Sequence, residues 1–189
     1  MTRLFALLLL PLVAACASNR FEASVTRFHL GAAPSAATVA VVPLDPAQGG
    51  SLAFRADADA VLRELVAAGF RPAPAETADV LAFLGTSSQV SERVSASPVS
   101  VGIGGATGGN VSIGGGMQVP LGRGRVTRTV ASEMQLVLRR RADREVLWEG
   151  RASATQSGRS AAVNTALLAR ALLDGYPGQS GQTVRWVAK

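Results

Sequence analysis

The sequence predicts an α+β domain: a two-layer arrangement in which a mixed, mainly antiparallel sheet of about five or six strands carries two helices on one face. Three observations carry that expectation. Residues 51–68 have a helical apolar period between two strand-like runs at 38–43 and 78–84, as in a β-α-β unit. Residues 127–139 and 145–156 read as the arms of one hairpin. Between these units, residues 95–124 hold ten of the chain's 20 glycines, a composition suited to a glycine-rich hairpin.

The chain opens with Arg3, an apolar run over residues 4–13, then Ala14, Ala15 and Cys16. That run is too short for a stable membrane-spanning helix, and small residues before a cleavage point complete a secretory signal. Residues 1–15 are therefore expected to be a signal peptide, and Cys16, the only cysteine, the first residue of the mature chain. The pattern resembles the bacterial lipoprotein signal, which implies acylation of the Cys16 thiol. An ordinary secretory peptide with an incidental cysteine is the alternative. Residues 16–20 then form a lipidated tether, 21–177 a single domain with 95–124 as an insertion, and 178–189 a tail or edge strand.

Residues 21–30 alternate as a half-buried strand, with Phe21, Ala23 and Val25 on one face and Arg27 next in that series. Residues 38–43 form a short, nearly continuous apolar strand that Pro43 ends. In the helix of residues 51–68, Ala58, Val61, Leu62, Leu65 and Val66 make the inward stripe, opposite Arg55, Asp59 and Arg63. Gly69 supplies a left-handed stop, and Phe70 can fold back on Leu65. Residues 78–84 make a buried strand that an alternating polar stretch extends to Val94. In residues 95–124, Val99, Val101 and Ile103, then Val111, Ile113, Met117 and Val119, alternate with small polar residues around Gly108, Gly109 and Asn110. Two weakly stable strands and a tight turn are expected there, with a flexible loop as the alternative.

The later hairpin places Met134, Leu136 and Leu138 against Val146, Trp148 and Gly150, across a turn over residues 140–144. Ser160 is a candidate cap for a last helix over 161–173, with Val163, Ala166, Leu167 and Ala171 inward and Gly175, Tyr176 and Pro177 as its stop. Residues 183–187 read as an exposed or edge strand.

Composition excludes several chemistries. Lys189 is the only lysine, so no phosphate-binding loop with its lysine is present. The dinucleotide fingerprint fails because Thr107 stands where a third glycine should follow Gly102 and Gly104. His29 is the only histidine and, with no thiol left after acylation, leaves little for a metal site or nucleophile. Asp57 and Asp59 point in different directions from a helix, and Glu64 lies on its flank, so all three read as helix solvation. No enzyme activity and no cofactor is expected.

Without Arg3 the mature chain carries 18 basic and 13 acidic residues, a net of +5. The excess concentrates at 123–151, where eight arginines face Glu133, Asp143, Glu145 and Glu149. Arginine forks match phosphate and carboxylate oxygens, so Arg139, Arg140, Arg141 and Arg144 are candidate contacts for an anionic envelope component. A solvated hairpin turn is the plain alternative. Nucleic acid is not an expected partner, because the cluster lacks interleaved aromatics.

The helix stop at Ala67, Ala68, Gly69 and Phe70, the strand opening Ala78, Asp79, Val80 and Leu81, and the arm over residues 146–152 together resemble the bacterial lipoproteins of unknown function grouped as DUF4136. In that family a helix ends in Gly-Phe, a short Ala-Asp strand follows, and a late strand reads approximately Val-Trp-Arg-Gly. Here Glu149 stands where arginine is frequent, and residues 141–144 replace an Asp-X-X-Thr-Gly turn. The resemblance covers most of residues 21–177. It implies an envelope domain and carries over no catalytic residue. Ala17 and Ser18, rather than aspartate, follow Cys16, which by resemblance to the sorting rules of Gram-negative lipoproteins favours the outer membrane, facing the periplasm. The expected function is a membrane-anchored structural or interaction module, with an envelope protein or an anionic glycan (lipopolysaccharide or peptidoglycan) as its partner. A binding module for the glycan is the alternative.

Overall fold

The computed structural model describes residues 20–31, 33–95, 100–101, 119–120, 125–158 and 161–189. Among them the fold is α+β, with a mixed seven-stranded sheet and two helices. The expected five or six strands fall short, because the two-residue strand β3 (Arg71–Pro72) also pairs, and the last strand joins the same sheet. The sheet order is β3-β2-β4-β7-β8-β1-β9.

β1 (Glu22–Phe28) is buried at Ala23, Val25 and Arg27 and follows the buried Phe21, the alternation expected from the sequence. β2 (Thr38–Pro43) leads through a short 3-10 turn at Pro46–Gln48 into α1 (Leu52–Ala67), whose first turn is capped by the Ser51 side chain accepting from Phe54 N at 3.0 Å. α1 ends in two reciprocal bonds, Gly69 N to Val66 O and Phe70 N to Leu65 O, both 3.0 Å. This stop needs a left-handed residue, and Gly69 supplies it with φ of 100°. Most of the expected stripe faces inward: Val61 and Leu65 are buried and Ala58 and Leu62 pack partly buried against the core, joined by Ala60, whereas Val66 is 46% exposed.

After β3 the chain enters β4 (Val80–Ser95), parallel to β2 in the register Val39 to Val80 and Pro43 to Leu84. The β2-α1-β4 unit is thus present. β4 pairs along its whole length with β7 (Arg125–Arg140), which pairs with β8 (Val146–Gly158). Of the glycine-rich residues 95–124, the described β5 (Ser100–Val101) and β6 (Val119–Pro120) pair antiparallel, and the rest of the expected hairpin lies outside the described residues. Leu138 opposes Trp148 and Leu136 opposes Gly150 as expected, but a register shift between Leu138 and Arg139 sets Val146 opposite Arg139. Val146 is therefore 47% exposed and off the inward face.

α2 (Thr165–Leu173) starts four residues later than expected. Asn164 caps it, accepting from Leu167 N at 3.1 Å, and Ser160 lies outside the described residues. Its buried side is Leu168, Ala169, Ala171, Leu172 and Leu173, while Val163 and Ala166 are exposed. The run is apolar nearly all round, so its period does not select a face. Gly175 at φ of 70° turns the chain away, and β9 (Thr183–Val187) closes the sheet edge on β1.

One core joins helices and sheet: Val61 and Leu65, then Leu168 and Leu172, meet Val25, Val39, Leu84, Met134, Leu136, Leu138 and Trp148. Each fully buried leucine or valine there contributes about 1.5–3 kcal/mol relative to exposure. At Gly150 a Cβ would fall 2.2 Å from the Trp148 ring and 2.8 Å from Leu172, so the core admits no side chain at that point.

Candidate functional site

The β7-β8 turn carries the arginines that the sequence singled out. Arg140 N donates to Glu145 O at 2.9 Å and Arg144 N to Arg140 O at 2.8 Å, closing a tight turn in which Arg144 takes a φ of 61°. The four guanidinium groups are not gathered into one anion site. Arg140 is answered by Asp143 at 2.7 Å and by Glu145, and those hydrogen bonds raise its pKa above the ordinary value. Asp143 is held below the ordinary carboxylate range, first by the Glu145 backbone N–H and then by Arg140. Arg141 Nε donates to Ala78 O at 2.8 Å and its backbone N to Asp79 O at 2.9 Å, stapling the turn to the start of β4. Arg139 lies on the other side of the strand, its guanidinium 5.0 Å from the Phe83 ring centroid, with Nε buried and without a hydrogen-bond partner.

Arg140 and Arg141 do meet Asp79 at a cleft of about 350 Å³, lined also by Pro34, Ala37, Val80 and Leu147. Asp79 is committed to structure there. Its Oδ2 accepts from Thr38 Oγ1 at 2.6 Å and Thr38 N at 3.1 Å, while its own N–H donates to Thr38 Oγ1 at 2.8 Å. These bonds hold its pKa below 3.8. The cleft thus offers cationic nitrogen beside an apolar wall. Among the described residues no group of three histidine, cysteine or acidic side chains could hold a metal ion. Cys16 lies outside the described residues.

The more elaborate polar site was not singled out. Arg27, 7% exposed, donates from Nε to Leu172 O at 2.9 Å and from Nη2 to Ala171 O at 2.9 Å and Asp174 O at 2.8 Å. It satisfies carbonyls that the end of α2 leaves open. Burial lowers its pKa, and the Asp174 charge opposes that shift. Around it, Trp148 Nε1 donates to Pro177 O at 3.0 Å, Trp186 Nε1 to Asp174 Oδ2 at 2.8 Å, and Tyr176 OH to Pro34 O at 3.0 Å. Burial pushes the Tyr176 phenol above its ordinary range. His29 places Nδ1 3.0 Å from Gly31 O and Nε2 3.1 Å from Gly178 O, so both ring nitrogens are engaged with backbone. The signal for Arg27 was its place in the buried alternation of β1; its partners lie about 145 residues away.

These short motifs, the Gly69-Phe70 stop, the Ala78-Asp79 start of β4 and the Trp148 arm, now stand in one fold. The chain belongs to the family described as Domain of unknown function (DUF4136). The match covers residues 32–178. No curated protein matches the chain. Among solved structures, a PDZ domain protein from Parabacteroides distasonis is similar at 12% identity and a TM-score of 0.44, over 88% of this chain and 39% of that one. The chain thus spans about two fifths of that protein's length. A PelC dodecamer from Paraburkholderia phytofirmans is similar at 15% identity and a TM-score of 0.38, over 81% of this chain and 93% of that one.

Proposed function

We propose that this DUF4136 protein is an outer-membrane lipoprotein, anchored through acylated Cys16 and facing the periplasm, that serves as a structural or interaction module. One observation carries the reading: the only cysteine follows a short apolar run and two alanines, at the position where a lipoprotein signal is cleaved. The start of β1 at Glu22 supports it, since residues 16–20 are then left as a short tether. In this reading both helices cover one face of the sheet in two layers, and residues 95–124 form the glycine-rich hairpin. The acyl chains supply the membrane affinity at about 0.8 kcal/mol per buried methylene. Among the described residues no helix is long and apolar enough to cross a membrane. Membrane fractionation after a carbonate wash tests the anchor: wild type sediments and Cys16→Ser is released. A variant that still sediments contradicts the reading. In vivo crosslinking then identifies the partner.

The second reading, a binding module for lipopolysaccharide or peptidoglycan, is favoured by Arg139, whose guanidinium is stacked on Phe83 and has no acidic partner among the described residues. Salt-sensitive pull-down of these components by wild type, lost in Arg139→Ala, supports it. Equal capture by the two proteins contradicts it.

A further inference from the structure

We propose that the sheet face turned away from the helices is the contact surface for a second copy of this chain, packed face to face about a twofold axis. The inference rests on the reading of the domain as an interaction module and names its partner. Across five neighbouring strands, Val42 is opposite Phe83, Phe83 opposite Val137, Val137 opposite Glu149 and Glu149 opposite Phe28. Residues opposite one another share a face of the sheet. None of Val42, Phe83, Val137 and Phe28 belongs to the core that the helices complete, or packs against it. In the adjoining row Leu81 and Val146 stand on either side of Arg139. Phe28 is 52% and Val146 47% exposed. Four residues along the same strands, that face carries Ser87, Glu133, Ser153 and Ser24 instead. A face that meets water alone stays polar along its strands, so the change to a contiguous apolar patch marks a surface that another molecule covers.

The charges inside the patch select the occupant. There are two, one of each sign. Arg139 lies over the Phe83 ring, and Glu149 accepts from Gln135 Nε2 at 3.1 Å. Among the described residues neither is in an ion pair. An apolar partner would bury both charges unanswered, and an anionic lipid or glycan would answer Arg139 and strand Glu149. A second copy answers both at once. A twofold axis that lies between the two faces, and crosses midway between Arg139 and Glu149, sets each arginine against the partner's Glu149. The apolar rows then meet across the same axis, with the two sheets about 10 Å apart.

The experiment uses the full chain as extracted from its membranes, in a density-matched non-ionic detergent with micelles in excess over protein. Sedimentation equilibrium across a dilution series gives its mass. A dimer is expected. Arg139→Glu and Glu149→Arg, each alone, are expected to raise the dissociation constant about tenfold or more, and the two together to return it close to the wild-type value. Phe28→Ser alters a half-exposed side chain on the same face, and is expected to weaken the dimer about tenfold while the circular dichroism of the fold is unchanged. Leu52→Ser, at a position 78% exposed on α1, is expected to leave the dimer as it is. Monomer at every concentration, whether or not Arg139 then captures glycan, overturns the proposal, and in vivo crosslinking decides separately whether the domain is an interaction module with another partner. A dimer that neither Arg139→Glu nor Phe28→Ser weakens overturns the choice of face. Loss in both single reversals without recovery in the double variant overturns the pairing of Arg139 with the partner's Glu149.

Discussion

Arg27 shows how one buried cation can hold the end of a helix. Its guanidinium makes three bonds to backbone carbonyls around the end of α2, and Gly178 packs on it so closely that a Cβ there would lie 2.8 Å from its Cδ. Bonds from charged donors are worth about 1.5–3 kcal/mol each, and an orphaned buried acceptor costs about 1–3 kcal/mol. Arg27→Met is therefore expected to destabilise the domain by about 3 kcal/mol or more, measured by urea denaturation. Arg27→Lys is expected to recover only part of that, since an ammonium lacks the planar fork. Asp79 works differently, at the surface. Its native pKa lies below its ordinary 3.8 because Thr38 donates twice to it. A depressed carboxylate contributes stability in full above the unfolded value, and that contribution is lost as the pH falls through the lower native one. The melting-temperature gap between wild type and Asp79→Ala is thus expected to be constant near neutrality and to close as the pH drops below about 4.

Among the elements, α1 was legible and α2 only partly so, and the reason is physical. The Gly69-Phe70 stop is local chemistry: a left-handed glycine and two bonds back to Leu65 and Val66. It is written in adjacent residues and can be read from them. The face of α2 depends on what it packs against, and in a run holding Ala161, Ala162, Val163, Ala166, Leu167, Leu168 and Ala169 many phases look inward. The start was equally open, since Ser160 and Asn164 are both cap formers. The misplaced Val146 comes from the shift at Leu138 and Arg139, which no alternation pattern reports. The edge of the α1 stripe gives a sharp test. Leu65→Ala is expected to cost about 2–5 kcal/mol, because it empties a fully buried position. Val66→Ala, at a position 46% exposed, is expected to cost about 0.5 kcal/mol or less. Equal losses in thermal unfolding would place Val66 in the core beside Leu65.

For the whole molecule, pattern and topology agree where strands are neighbours in sequence and part where they are not. The β7-β8 hairpin and the β2-α1-β4 unit were readable from residues 38–84 and 127–156. The pairing of β9 with β1 joins the two ends of the described chain, and nothing local in residues 183–187 announces its neighbour. The candidate site followed the same rule. The arginines of the turn were visible as a cluster, yet their division into Arg140 neutralised by Asp143 and Glu145, Arg141 stapled to Ala78 and Arg139 stacked on Phe83 depends on strand sides and on the start of β4. Family membership leaves function open, so the account turns on the amino terminus, where the proposed cleavage before Cys16 and its acylation decide whether the domain is held at a membrane. Mass spectrometry of the protein extracted from its own membranes tests this most directly. The account predicts a chain that begins at Cys16, with a diacylglyceryl group on its sulfur and an acyl chain on its amine. A chain that begins at any other residue, or an unmodified Cys16 thiol, would contradict it.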